Sequence, residues 1–171
     1  TKYSSVSKPL LVGKNTNVSI SDAAEIQLGS PLLINIRNSD IIHHSIGGTS
    51  FILGSNASLT TNSTGTARIG SGSMINIQGD LAIGDSYLNG ESKILCHNSV
   101  SIGDDCAIAW GVNIIDTDAH VIKRVSGEHK SNNRPETSPV SIEDNVWIGH
   151  ESSILKGVEI GQGSVVAARS V

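Results

Sequence analysis

A strict six-residue rhythm in the last thirty residues constrains this chain more than any other feature. From residue 142 the sequence reads IEDNVW, IGHESS, ILKGVE, IGQGSV, VAARSV. The first place of every block is branched and aliphatic: Ile142, Ile148, Ile154, Ile160 and Val166. The fifth is small or valine: Val146, Ser152, Val158, Ser164 and Ser170. A period of six matches neither the 3.6-residue helix nor the simple alternation of a two-faced sheet. It suits a prism with three short strands per turn, one hexapeptide to each strand. The aliphatic residue then points into the prism and the small residue packs inward beside the corner. Gly, Asn and Asp in the places between them suit corners with unusual backbone angles.

The same phase runs upstream. CHNSVS from Cys96 to Ser101 is followed by IGDDCA, IAWGVN and IIDTDA, which place Ile102, Ile108 and Ile114 inward. Leu53-Gly54, Ile69-Gly70 and Ile83-Gly84 each open a block, with slips between them. Earlier residues are less regular, with Val18, Ile20 and Ile26 as inward candidates in an opening coil. No amphipathic helix of ten or more residues is visible. The reading is one all-β domain over 1–171, irregular over 1–68 and regular over 69–171. About eighteen residues per turn gives roughly eight or nine turns.

Composition supports a thin aliphatic core: hydrophobic residues are 37% of the chain but aromatics only 3%, fewer than an ordinary globular core carries. A net charge of −4 argues against broad nucleic-acid or anionic-membrane binding. No apolar run is long enough to span a bilayer, and no leader is recognisable, so a cytoplasmic location is expected. Cys96 and Cys106 occupy inward places and form no CxxC pair, which makes them core thiols.

The rhythm breaks once in the C-terminal half. From Ile114 to Ile142 is 28 residues, not a multiple of six, so a polar loop leaves the prism over about 116–139. Long excursions from a regular scaffold tend to carry function. Asp116, Asp118 and His120 open this one. A histidine with carboxylates nearby is a ready base at neutral pH, because the carboxylate holds one ring nitrogen and leaves the other to take a proton. Further on, Lys123, Arg124, Lys130 and Arg134 outnumber Glu128 and Glu136, so the loop is basic on an acidic protein and is expected to draw an anion. Trp147 stands at the sixth, outward place of its block. An exposed indole there calls for a sugar ring, an acyl-CoA tail or a neighbouring subunit.

IIDTDAH (114–120) with PVSIEDNVWIGHESSILKGVEIGQGSVVAARSV (139–171) resembles the hexapeptide-repeat acyltransferases, whose fold is a left-handed parallel β-helix. Within them the chain looks most like the bacterial O-acetyltransferases that modify capsule and lipopolysaccharide sugars. The resemblance implies acetyl-CoA as co-substrate, a sugar or polysaccharide acceptor, no metal, and a homotrimer with one site in each cleft between subunits. It implies His120 as the catalytic base, with Asp118 orienting it and Asp116 the second candidate for that task. It implies Trp147, Asp116 and Trp110 at the acceptor, and Gly149, His150, Lys156, Ala167 and Ala168 beside the pantetheine arm. Two departures stand out. Many relatives carry GAG at Ala167-Ala168-Arg169, and relatives continue past the position of Val171 into a capping segment, so a longer natural chain is expected.

Three rival readings remain. An amino-sugar N-acetyltransferase would use the same base, but its relatives often carry an N-terminal nucleotide-binding βαβ domain that is not seen here. A metal-dependent carbonic anhydrase on the same prism needs three converging histidines, drawn from His97, His120 and His150, with His43, His44 and His129 as outsiders. A non-enzymatic scaffold would suit the long stack and the stretch from Thr60 to Thr66, and would leave the DTDAH segment idle.

Overall fold

The computed structural model describes residues 8–36, 48–61, 65–121 and 136–171. Every regular element in them is a short strand, and each strand pairs in parallel with the third strand after it. The result is three parallel sheets of seven, six and six strands that form the sides of a prism. This is the all-β parallel β-helix expected from the hexapeptide phase, of the left-handed kind that the family resemblance implies.

The first face is built from Leu10–Val12, Leu32–Ile34, Ala67–Ile69, Tyr87–Leu88, Ala107–Ile108, Trp147–Ile148 and Val165–Val166. The second holds Thr16–Ile20, Thr49–Leu53, Met74–Ile77, Lys93–Cys96, Asn113–Ile115 and Ser153–Ile154. The third holds Glu25–Leu28, Ser58–Thr61, Asp80–Ile83, Ser99–Ile102, Val140–Ile142 and Glu159–Ile160. Alternate residues of each strand point inward and stack in register from coil to coil. Phe51, Ile75, Ile94, Ile114 and Ile154 form one such buried column. Each buried side chain of this size contributes about 1.5–3 kcal/mol. Cys96 and Cys106 lie in the same core as free thiols.

The glycine after the inward isoleucine has a steric cause. A Cβ on Gly149 would stand 2.5 Å from the Ala168 backbone nitrogen, and one on Gly70 2.5 Å from that of Gly90. At these two positions the coils approach too closely for any side chain, which accounts for the glycine there.

Six coils are complete among the described residues and a seventh is begun, fewer than the eight or nine expected. Residues were spent in two ways. The last coil keeps the ideal eighteen residues, Trp147 to Val165, but Arg68 to Tyr87 takes nineteen and Tyr87 to Ala107 twenty. Among the described residues the strands also stop at Ile115 and resume at Val140, as the broken rhythm requires, and a second gap separates Ile34 from Thr49. Val18, expected inward, is exposed. It is in phase with the buried Phe51 of the next coil, but it belongs to the first coil, and no described coil covers its other side. Ile20 is half-buried and Ile26 fully buried, as expected.

The outer surfaces of the faces differ. The outward column of the first face is Leu11, Leu33, Arg68, Tyr87, Ala107, Trp147 and Val165. On the second face Ile52, Leu95 and Ile115 point out with Ser19 and Asn76. The third face shows Gln27, Thr60, Ala82, Ser101, Ser141 and Glu159. A second outward row on the second face, Asn17, Ser50, Met74, Lys93, Asn113 and Ser153, is mostly polar. The first face is therefore largely apolar outside, the second carries a short apolar row beside a polar one, and the third is polar.

Candidate functional site

The excursion leaves and rejoins the prism at the corner between the second and third faces, and its neck is tightly laced. Thr117 pairs with Thr137 in an antiparallel bridge. The Asp118 N–H donates to the Glu136 carbonyl at 2.9 Å, and the Ser138 N–H to the Asp116 carbonyl at 3.0 Å. One coil on, the Gly157 N–H reaches the Pro139 carbonyl at 3.1 Å.

Asp116 is fully buried. The N–H groups of His97 and Asn98 donate to its two carboxylate oxygens, each at 2.7 Å. Both oxygens are thus engaged by backbone amides and the side chain is enclosed, away from the acceptor and His120 contacts expected of it. Its charge also acts on Cys96. Burial, first, and Asp116, second, push that thiol up to about 12. Burial likewise raises the Cys106 thiol.

His120 follows on a tight turn. Ala119 adopts a left-handed φ of 57°, its N–H donates to Thr117 Oγ1 at 3.1 Å, and the His120 N–H donates to the Asp118 carbonyl at 2.6 Å. The turn leaves the imidazole exposed at the corner. The Asp118 carboxylate faces Lys156 instead, with Nζ 3.6 Å from Oδ1. The same ammonium lies 3.6 Å from Glu136 Oε2. Among the described residues no hydrogen bond joins Asp118 to the His120 ring. Glu136 and the double role of Lys156 were missed in the sequence, where the two arms of the loop are separated by residues of no fixed phase. Only the position of Glu136 just before Pro139, at the return of the loop, hints at it.

The remaining candidates gather at a different corner, between the first and second faces. Trp110 and His150 stack with ring centroids 5.1 Å apart and planes at 11°. His150 Nδ1 is buried and makes no hydrogen bond among the described residues. Beside it Arg169 Nε donates to Glu151 Oε2 at 2.8 Å, a bond that, with the charge of Arg169, holds the Glu151 carboxyl below its ordinary range. Gly149 is buried in the coil, and its N–H donates to the Val166 carbonyl at 2.9 Å. Ala167 and Ala168 are exposed on the last corner. Ser152, in the small place of the repeat, is buried and donates to the Ala167 carbonyl at 2.9 Å. Trp147 is 55% exposed on the first face, between Ala107 and Val165.

The candidates thus form two groups on one chain. From Trp110 to Asp116 the chain crosses the whole second face, roughly 20 Å for six extended residues at about 3.3 Å each. A groove of about 260 Å³, lined by Gly84, Ser101, Gly103, Asp104 and Asp144, lies at the remaining corner and touches neither group. The basic residues Lys123, Arg124, Lys130 and Arg134, with Glu128, His129, His43 and His44, lie outside the described residues.

Comparison with known proteins agrees with the repeat. Residues 139–171 match the family model of the bacterial transferase hexapeptide (six repeats). The chain is 38% identical over 69 residues to the polysialic acid O-acetyltransferase of Neisseria meningitidis, covering 40% of this chain and 31% of that one. It is 35% identical over 85 residues to the galactoside O-acetyltransferase of Escherichia coli K12, covering 50% and 40%. The matched stretches therefore span less than half of these relatives. The crystal structure of the polySia-specific acetyltransferase NeuO aligns over 95% of this chain and 80% of its own, with 18% identity and a TM-score of 0.46.

Proposed function

From a chain whose C-terminal coils carry the bacterial transferase hexapeptide, we propose an acetyl-CoA-dependent O-acetyltransferase. It acts on a sugar hydroxyl of a bacterial surface polysaccharide or its precursor, as a homotrimer. The observation that carries the reading is the exposed imidazole of His120, mounted on a tight turn at the neck of the excursion. Relatives named as polysialic acid and galactoside O-acetyltransferases support the reaction type and the class of acceptor.

The chemistry follows from that imidazole. His120 takes the proton of the acceptor hydroxyl as its oxygen attacks the thioester carbonyl carbon. A backbone N–H stabilises the oxyanion of the tetrahedral intermediate. As the intermediate collapses, the C–S bond breaks and the imidazolium returns its proton to the departing thiolate. Both thiols of the chain are buried with raised pKa values, which favours direct transfer over a cysteine-bound acyl intermediate.

The trimer supplies what one prism lacks. If the first face of one copy meets the second face of the next, Trp147 and the Trp110–His150 corner of one approach the His120 corner of its neighbour. Acetyl-CoA would then lie along Gly149, Ala167 and Ala168, where no hydrogen bond is made by the Ala167 or Ala168 N–H among the described residues.

A thiol-release assay with acetyl-CoA and a panel of sugars and capsule oligosaccharides tests the reaction. His120→Ala is expected to keep the fold and lose at least about a hundredfold in turnover, the range for a positioned base. Near-native turnover in that variant would remove His120 from the mechanism.

A further inference from the structure

Lys156 stands in the corner that follows Ser153–Ile154, one coil beyond the neck of the excursion. Its ammonium is equidistant, at 3.6 Å, from a carboxylate on the outgoing arm, Asp118, and one on the returning arm, Glu136. Its neighbour Gly157 donates its N–H to the carbonyls of Ser138 and Pro139. The coil after the excursion therefore grips both arms by charge and the returning arm by backbone as well. The side chains of Lys156 and Asp118 are 29% and 21% exposed, so water screens their attraction only in part. Between the arms run the Asp118-to-Glu136 hydrogen bond and the Thr117–Thr137 bridge. Two residues beyond Asp118 is His120, whose backbone bonds directly to the Asp118 carbonyl.

The geometry points to Lys156 as a positioning residue that clamps the neck of the excursion and so fixes the turn bearing His120. This replaces the expected contact with the acyl donor, and it rests on the reading of His120 as the base. Lys156 touches neither the reacting atoms nor the imidazole. It acts through Asp118, by neutralising two carboxylates that would otherwise repel across the neck and by holding that side chain off the ring. Without the clamp the neck opens more often, and His120 spends less time where it can take a proton. Small losses of alignment of this kind reduce turnover without weakening substrate binding.

The test compares Lys156→Met, which keeps the length and removes the charge, with Lys156→Arg, which keeps the charge. In steady-state kinetics with acetyl-CoA and an acceptor, Lys156→Met is expected to lower kcat about tenfold with the KM for acetyl-CoA within about twofold of the parent. Lys156→Arg recovers most of kcat. A raised KM for acetyl-CoA at unchanged kcat would make Lys156 a donor contact and overturn the clamp, as would kinetics identical to the parent. Hydrogen exchange of the Asp118 and Ser138 amides, which cross the neck, reads the clamp without any activity. Lys156→Met should speed their exchange about tenfold while core amides such as that of Ile114 stay protected; unchanged exchange refutes the inference. A parent protein that transfers no acetyl group sinks the functional reading, and the exchange measurement then decides the clamp alone.

Discussion

Asp116 and Asp118 are two positions apart and of the same chemical type, yet they have opposite surroundings. Asp116 is buried and accepts two backbone N–H groups from the preceding coil; Asp118 is partly exposed and paired with Lys156. Asp116→Ala strands two amides, so it should destabilise the fold by about 2–6 kcal/mol at roughly 1–3 per unsatisfied buried group, seen as a lowered denaturant midpoint. Asp118→Asn should leave the midpoint nearly unchanged and reduce turnover less than His120→Ala does. A larger loss than that of His120→Ala would show that Asp118 does more than anchor the turn through Lys156. The cysteines give a pH prediction. Burial raises the folded-state pKa of Cys96 to about 12, above that of an unfolded thiol at about 8.5. The folded state thus binds the proton more tightly, and the stability this contributes is complete below about pH 8.5 and is lost as pH rises toward 12. Unfolding followed from pH 8 to 11 should show a decline that Cys96→Ala flattens, whatever the variant's stability at pH 8. An equal slope in both proteins would assign the decline to other groups. At this scale the sequence revealed residue types but not their partners: nothing in DTDAH says which carboxylate is capped by amides some twenty residues earlier.

At the scale of the coil, the sequence was most legible where the hexapeptide was purest. Ile142, Ile148, Ile154 and Ile160 are buried and Val166 half-buried, and the break after Ile115 lies where the phase fails. Legibility falls toward the N-terminus because corners there hold an extra residue or two. A corner can absorb an insertion without disturbing the inward column, so the period blurs while the fold persists. The close coil-to-coil step makes a sharp prediction. Gly149→Ala puts a methyl against the Ala168 backbone, where no side-chain movement can relieve it. The last two coils must separate, at a cost of about 1–3 kcal/mol for overpacking. Because Ala167 and Ala168 line that corner, the variant should also raise the KM for acetyl-CoA, while Gly163→Ala, whose Cβ would meet nothing within 4 Å although its φ is +71°, should leave that KM unchanged. Equal KM values for parent and Gly149→Ala would detach this corner from the donor.

At the scale of the molecule, the sequence pointed to one set of site residues and the fold distributes them over two corners. That division is invisible in a linear reading, because Trp110 and His120 are near in sequence yet lie at opposite edges of the second face. The outer surfaces indicate how the division closes. A lone prism in water has no use for Leu33, Tyr87, Trp147 and Val165 in one outward column, or for Ile52, Leu95 and Ile115 on the next face. Large contiguous apolar surface marks interaction sites, whereas the Ser, Thr and Glu column of the third face is suited to solvent. Two different faces that each carry an apolar row, meeting head to tail, generate a ring, and the proposed three-fold ring would cover both rows while leaving every third face wet. A charge placed on the first face should therefore break the assembly, and the same charge on the third should not. Leu33→Lys is expected to sediment as a monomer and to lose acetyl transfer, if, as proposed, each site draws on two copies. Ser101→Lys should remain a trimer with parental activity. A Leu33→Lys monomer with full activity would confine the site to one prism, and a Ser101→Lys monomer would place the interface on the third face.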